Sequence, residues 1–532
     1  MRYRPHYPPA PLLFGYDPDR DLPADHLARL VEAVVEGSLQ PTAPSYKSGQ
    51  PAFDPRLCAK VLIYGYSTGI RSSRQLERLC KESLPFLFLT RADTPSYRTL
   101  CSFRVHHQDL LEKVWISLFA VAGEYGMARL GRIVVDSSKF RADAGPEAVV
   151  KRSEFEAVRT ELARILQEAE AADARDEQEA PGSTQTGQTV EPEQMRDILR
   201  RVRKQLAAEK RSAEANEPAS PTEASDDPSV EKKLGPRMKP RIQQALQTLG
   251  EAEKEDLKHA CLTDPDARMM GEGREKRIQE CHSFEAAVDS EAGLLVVGQS
   301  CQVGNDNARL EILVEEAGKQ EPGGVVAVDG DSGYYSGDAV ARLLKEGLDL
   351  CIPDSNTACD LKRGQPPGTT RDLSRGRVAF TYDADANTFH CPEGNVLRPI
   401  QRRKSGAQQE VQIYRSERIC TGCPLAASCL SRANAKYRRL GVGVDHEILE
   451  EARQRFADPS HQDRYHHRGE VVETVFGFLR NVLGFSRWML RGRERVSCEA
   501  TLWKLAYQFR KVQTGILRYT AQQTQEQTLR AA

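Results

Sequence analysis

Long apolar runs are missing from this sequence. No segment reaches the roughly 18 consecutive apolar residues of a membrane span, and the opening MRYRPHYPPAPLLFGYDPDR has no continuous hydrophobic stretch of the kind a signal peptide carries. The expectation is a cytosolic protein with no membrane partner. An excess of one charge is missing as well. The 75 Lys and Arg balance the 76 Asp and Glu to a formal net charge of −1, which excludes a uniformly basic protein, so any nucleic-acid surface must be local. The 13 cysteines are odd in number and mostly isolated in apolar or mixed contexts, which fits reduced thiols better than a disulfide framework. What is there is a chain of 532 residues, long enough for several domains and a large core.

The most informative stretch runs from Tyr465 to Val496. Val472, Val475, Phe476, Leu479, Val482 and Leu483 recur at helical spacing and form a core-facing side. Glu473 and Arg480 lie off that side, about 10 Å apart along one edge, with Gly477 between them. A glycine inside a helix costs on the order of 1 kcal/mol relative to alanine, so the backbone at Gly477 is expected to be approached closely. The arginines at 464, 468, 480, 487, 491, 493 and 495 supply a candidate basic stripe. Alone, these features also describe an ordinary packed helix with boundary charges.

Other acids give the helix possible partners. Ile133, Val134 and Val135 form a short buried-strand run that ends at Asp136, and Val325 to Val328 form another, with Asp329 and Asp331 emerging on one side of its end. An acid at a strand end is commonly only a cap or turn residue. It gains meaning if carboxylates meet. The runs SFEAAVDSE and GLLVVGQSCQV form a hairpin joined at Ser290 to Ala292. A helix, the 325–328 strand, a second helix and the strand at LDLCIPD follow, the order of a ribonuclease-H-like mixed sheet. Upstream, short helices surround the turn RADTPSYRTL, with Thr94 and Pro95 at a helix start and Arg98 and Arg104 beyond it, a helix-turn-helix pattern that points to DNA.

Two segments interrupt this core. Residues 146–260 are charged and helix-favouring, broken by the Pro/Ser/Thr-rich stretches APGSTQTGQTVEPEQ and EANEPASPTEASDDPSV, and their apolar positions are too sparse for an independent core. Residues 355–450 alternate as strands do and contain Cys391, Cys420, Cys423 and Cys429. Cys420-x2-Cys423 has zinc-knuckle spacing, with Cys429 near enough for a third thiolate and Cys391 for a fourth. Structural Zn2+ and plain reduced thiols are both open readings.

Tyr465-x2-Arg468, Glu473 and Arg480 seven positions later resemble the C-terminal signature of DDE transposases from bacterial insertion sequences. The chain departs from it in two ways. Four residues rather than three separate Arg468 from Glu473, a spacing found in relatives with the Val-Glu-x-x-Phe-Gly pattern of residues 472–477, and Arg480 replaces the usual lysine, keeping charge but not a point-like ammonium. Asp136-Ser137-Ser138-Lys139 is similar to the family's first catalytic strand end, and Asp331-Ser332-Gly333-Tyr334 to its Asp-x-Gly-Tyr, with Asp329 the runner-up. The resemblance implies catalytic Asp136, Asp331 and Glu473 on two Mg2+ or Mn2+ ions, and Tyr465, Arg468 and Arg480 on DNA. It also implies terminal inverted repeats and target DNA as partners, a homodimer or larger assembly, and a cytoplasmic, nucleoid-associated bacterial setting. The implied domains are an α-helical DNA-binding region (1–125), the first strand of an α/β ribonuclease-H-like core (126–145), the charged insertion (146–260), the rest of the core (261–354), the β insertion (355–450) and the catalytic helix with a basic tail (451–532). A silent DNA-binding derivative and a stand-alone metal-dependent nuclease are the alternatives.

Overall fold

A computed structural model describes residues 17–40, 52–127, 131–178, 194–215, 238–272, 277–304, 306–320, 324–367, 380–383, 385–405, 409–430 and 435–531. The proline-bearing N-terminal arm up to residue 16 and nearly all of both Pro/Ser/Thr-rich stretches lie outside them.

Seven short helices open the described chain, from Pro18–Asp21 to Gln108–Glu124. Local chemistry sets their limits. Asp54 accepts from the Arg56 amide at 2.9 Å ahead of Pro55 at the first helical position, the usual pairing of side-chain cap and proline. The helix expected to begin at Thr94 and Pro95 starts two residues later, at Tyr97, because the Ser96 hydroxyl is the group that accepts from the Thr99 amide. These helices are held to the rest of the protein by the final helix, Arg493–Ala531, whose Val496, Ala500, Leu502, Trp503, Ala506, Phe509 and Val512 are buried in one continuous core with the bundle and the sheet. Trp503 stacks on Phe485 at 4.4 Å and meets Tyr66 edge-on at 4.9 Å.

The chain is mixed α/β. Its strands are β1 (Arg132–Arg141), β2 (Val149–Lys151), β3 (His259–Cys261), β4 (Arg268–Glu272), β5 (Arg277–Asp289), β6 (Leu295–Cys301), β7 (Ala327–Gly330), β8 (Asp349–Cys351), β9 (Thr381–Asp383), β10 (Thr388–His390), β11 (Val396–Ser405), β12 (Gln409–Ser416) and β13 (Arg439–Gly443). The central sheet runs β4-β5-β1-β7-β8, with β6 also paired to β5. β1, β7 and β8 are parallel, and β5 runs against β1, β4 and β6. Ile133, Val134, Val135 and Val328 are fully buried at its centre, as near-continuous apolar strands must be when both faces are covered.

The segment between β1 and β5 corrects one expectation, because it has a core of its own. Helices Phe155–Gln178, Met195–Ala215 and Met238–Lys254 each present a narrow apolar stripe. Phe155, Val158 and Leu162 meet Ile198, Leu199 and Val202, and Ile242, Ala245 and Leu249, in a cluster separate from the main core. Few apolar residues suffice because they recur at i, i+3 and i+4 and fall on one side of each helix. The β insertion is a five-stranded antiparallel sheet in the order β13-β12-β11-β10-β9, resting on a small cluster of Phe389, Leu397 and Tyr414.

Candidate active site

Register brings two of the predicted acids together. In the parallel pair β1–β7, Val134 lies beside Asp329 and Val135 beside Gly330, so the next positions, Asp136 and Asp331, are neighbours on strands about 4.8 Å apart. Each carboxylate is held by the backbone ahead of it. The Ser137 amide donates to Asp136 Oδ1 at 2.7 Å, and the Gly333 amide to Asp331 Oδ1 at 2.9 Å. The second bond explains the Asp-x-Gly spacing: a Cβ on residue 333 would sit 2.9 Å from Asp331 Oδ1, so a side chain there would push the carboxylate away. Burial first, and then the negative charge of Asp331, push the Asp136 carboxyl up to about 7, against the opposing pull of the Ser137 amide and the Arg468 guanidinium. Two like charges that repel in a partly desolvated place call for a cation.

Asp329, the other candidate on this strand end, has a different occupation. It is buried within β7 and accepts from Arg464 Nε at 2.7 Å. Arg464 also pairs with Asp349 on β8, so one guanidinium pins the signature helix, Pro459–Gly477, across two strands. Arg464 is thereby a half-buried tie and not part of an open basic stripe. Arg468, one turn on, lies near Asp136 and stacks over the Tyr465 ring at 5.1 Å. Arg480 donates to Ser138 Oγ at 3.0 Å and the Lys139 carbonyl at 2.7 Å, with its guanidinium 4.1 Å from the Phe140 ring centre. Arg487 and Arg491 face Asp143.

Glu473 is placed differently from the two strand acids. It is exposed, on the helix edge from which Arg480 reaches β1. Among the described residues no three His, Cys, Asp or Glu side chains are gathered closely enough to hold a metal ion. The structure thus brings Asp136 and Asp331 together and leaves Glu473 on the adjoining helix edge, outside ligand distance.

The helix itself departs from the expected pattern at its end. Val482, expected on the core-facing side, is 55% exposed. Phe478–Val482 is a π-helical turn, and its extra residue rotates everything after it relative to 3.6-residue spacing. Gly477 marks this change of pitch. A Cβ there would meet nothing within 4 Å, so close approach does not explain it.

A second polar network adjoins the acids and was not foreseen. Asp306 accepts from Ser137 Oγ at 3.1 Å and from Lys139 Nζ at 3.0 Å, and its charge also reaches Asp136. Behind it Arg309 pairs with buried Glu285 at 2.8 Å. An aspartate before a helix reads as a cap, so its sequence gave no signal of this contact. Of the two arginines expected on DNA in the N-terminal region, Arg98 is exposed. Arg104 is buried and donates to the Tyr66 hydroxyl at 3.2 Å and the Arg71 carbonyl at 3.3 Å. It braces the bundle from inside because position 104 falls on the helix side that also carries Leu100 and Phe103.

In the β insertion, Cys391, Cys420, Cys423 and Cys429 line one cavity of about 180 Å³. Burial raises the Cys429 thiol, and the other three cysteines raise it further while Arg438 lowers it. All four are free thiols. The Ser416 hydroxyl lies 3.3 Å from Cys420 Sγ, and the Asn395 amide donates to Cys391 Sγ at 3.3 Å.

No helix among the described residues is long and apolar enough to cross a membrane. No curated protein matches the chain. A family model described as a transposase DDE domain matches residues 390–513, and a second, described as a transposase domain (DUF772), matches residues 16–106. The first range takes in the four cysteines and Glu473, and Asp136 and Asp331 lie in neither. Transposase matches at both ends of the chain, flanking a mixed sheet that carries paired aspartates, support a DDE transposase of an insertion sequence.

Proposed function

We propose that this transposase binds the terminal inverted repeats of its element, cuts the DNA beside them and joins the ends to target DNA, with Asp136, Asp331 and Glu473 as the metal-holding acids. The observation that carries the reading is the adjacency of Asp136 and Asp331 where the β1–β7 pairing ends, with burial and the charge of Asp331 penalising the ionised form of Asp136. A ribonuclease-H-like core is supported by the order β6-β5-β1-β7-β8 with β5 alone reversed among those five. Carboxylate oxygens are hard donors suited to Mg2+ or Mn2+. Held by Asp136, Asp331 and Glu473, two such ions would supply activation of a water or 3′-hydroxyl and stabilisation of the leaving oxygen. Arg468 and Arg480 stand on either side of Glu473 along the helix and hold the phosphates of the scissile strand, while Tyr465, packed against Arg468, orients the DNA. Glu473 reaches the paired aspartates when DNA is engaged; active-site contacts in unliganded proteins are often loose. Exposed Arg98 contacts DNA from the N-terminal region, and two or more copies act together on the paired ends.

The four cysteines form a soft donor set that fits Zn2+. Held by Cys391, Cys420, Cys423 and Cys429, such an ion would tie the turn after β10 to the loop between β12 and β13.

The outward position of Glu473 favours one alternative, a derivative that binds DNA and no longer cuts it. The test is incubation with Mg2+ and DNA carrying the gene's flanking sequence. Cut and joined products are expected. Binding without cutting identifies the silent derivative, and cutting without joining a nuclease.

A further inference from the structure

The final helix carries fully buried residues only as far as Val512, and beyond it becomes progressively exposed. Tyr507, Arg510, Lys511, Thr514, Arg518 and Tyr519 follow one another at i, i+3, i+4, i+7, i+11 and i+12, and this face lines an open cleft of about 590 Å³. Its other walls are the turn at Tyr125–Met127, the β5–β6 turn at Glu291 and Ala292, and the outer side of the signature helix at Thr474 and Phe478. Thr474 is the residue after Glu473, so the cleft begins where the candidate active site ends.

Its charge is unbalanced. Three cations line it against one exposed acid, Glu291. Among the described residues Arg510, Lys511 and Arg518 have no ion-pair partner within 4 Å. Lys511 is half-buried, and its ammonium is lowered by burial and by neighbouring Arg518, with buried Asp289 pulling the other way. The walls are stiff. Tyr125 and Tyr519 pack edge-on at 5.5 Å, and the Tyr507 hydroxyl donates to the Gly293 carbonyl at 2.8 Å. From Tyr507 to Gln522 the lining face runs about 22 Å, the rise of about six base pairs. A small anion would engage one of these cations, whereas a chain of phosphates engages all three.

We propose that this cleft binds the sugar-phosphate backbone of DNA, gripping the duplex where it leaves Glu473 on the side of the signature helix away from the sheet. The proposal rests on the transposase reading and adds a contact surface apart from the metal-holding acids. Its test is the salt dependence of binding of the full-length protein to a short fluorescent DNA duplex. Each lost phosphate contact lowers the slope of log K against log salt by about 0.9, so R510A/K511A/R518A is expected to lose roughly two to three units of slope. R510K/K511R/R518K should keep the slope. R196A/R200A/R211A, which removes equal charge from the charged insertion, should change it little. Should the triple variant fail to fold, R518A alone, at an exposed position, must lose about 0.9. An unchanged slope overturns the cleft and leaves the transposase reading standing. Loss of self-association in sedimentation with an unchanged slope reassigns the cleft to a protein contact and also overturns it. A wild-type protein that binds no DNA overturns both readings.

Discussion

The point where β1 and β7 bring Asp136 and Asp331 together and the cavity that carries four thiols are both collections of cation-type ligands, on very different foundations. The aspartates grow out of strands whose Ile133, Val134, Val135 and Val328 are fully buried in the largest core of the protein, and Arg464 clamps the neighbouring helix across β7 and β8. The thiols sit on loops between short strands supported by Phe389, Leu397 and Tyr414, too few apolar side chains to fix five strands firmly without another tie. On the proposed reading, the aspartate site would be organised by the fold before any ion arrives, whereas the thiol site would need its ion in order to be organised.

Removing metal should therefore separate the two regions, and this is the largest effect expected. Zinc bound by thiolates in small modules contributes on the order of 10 kcal/mol to folding. Treatment with a strong zinc chelator, or Cys423→Ser, is expected to abolish hydrogen-exchange protection in β11 and β12 while β1 and β5 remain protected. Equal protection with and without chelator would erase the contrast.

Attacking the clamp tests the other half. Arg464→Ala leaves Asp329 buried without its cation, a kind of lesion that costs roughly 3–5 kcal/mol, so the melting temperature should fall and Arg464→Lys should recover only part of it. A melting curve unchanged by Arg464→Ala would mean that the helix is not held this way. The smallest effect is expected at Arg480. Arg480→Lys keeps the charge but loses the planar fork shared between Ser138, the Lys139 carbonyl and the Phe140 face, which predicts a change of about 1 kcal/mol or less in stability and a few-fold slower cleavage.

How much of this was legible in residues depends on whether a local pattern carried it. The strand end at Asp331, the hairpin at Ser290–Ala292 and the placing of four cysteines on one cavity follow from short apolar runs, turn residues and spacing, whereas the strand expected to end at Asp136 runs on to Arg141 because β5 pairs with it along that whole length. The core of the charged insertion was missed because its stripes are separated by long polar stretches and become a core only when three helices pack. Val482 was misplaced because a π-turn has no residue signature in a period-counting argument. Arg104 and Arg464 read as surface cations because arginine is mostly exposed; only tertiary partners such as the Tyr66 hydroxyl and Asp329 account for the burial of the first and the partial burial of the second. The link from Asp306 to Lys139 spans 167 positions, and nothing local predicts it.

The central claim is that a helix-borne glutamate completes a site begun by two strand-borne aspartates, and Glu473→Gln tests it most directly. With supercoiled plasmid and Mg2+, wild type is expected to nick DNA, and Glu473→Gln to fall by on the order of a thousandfold, since metal-supported charge stabilisation is worth several kcal/mol, with DNA binding retained. Cleavage by Glu473→Gln at the wild-type rate would contradict the account.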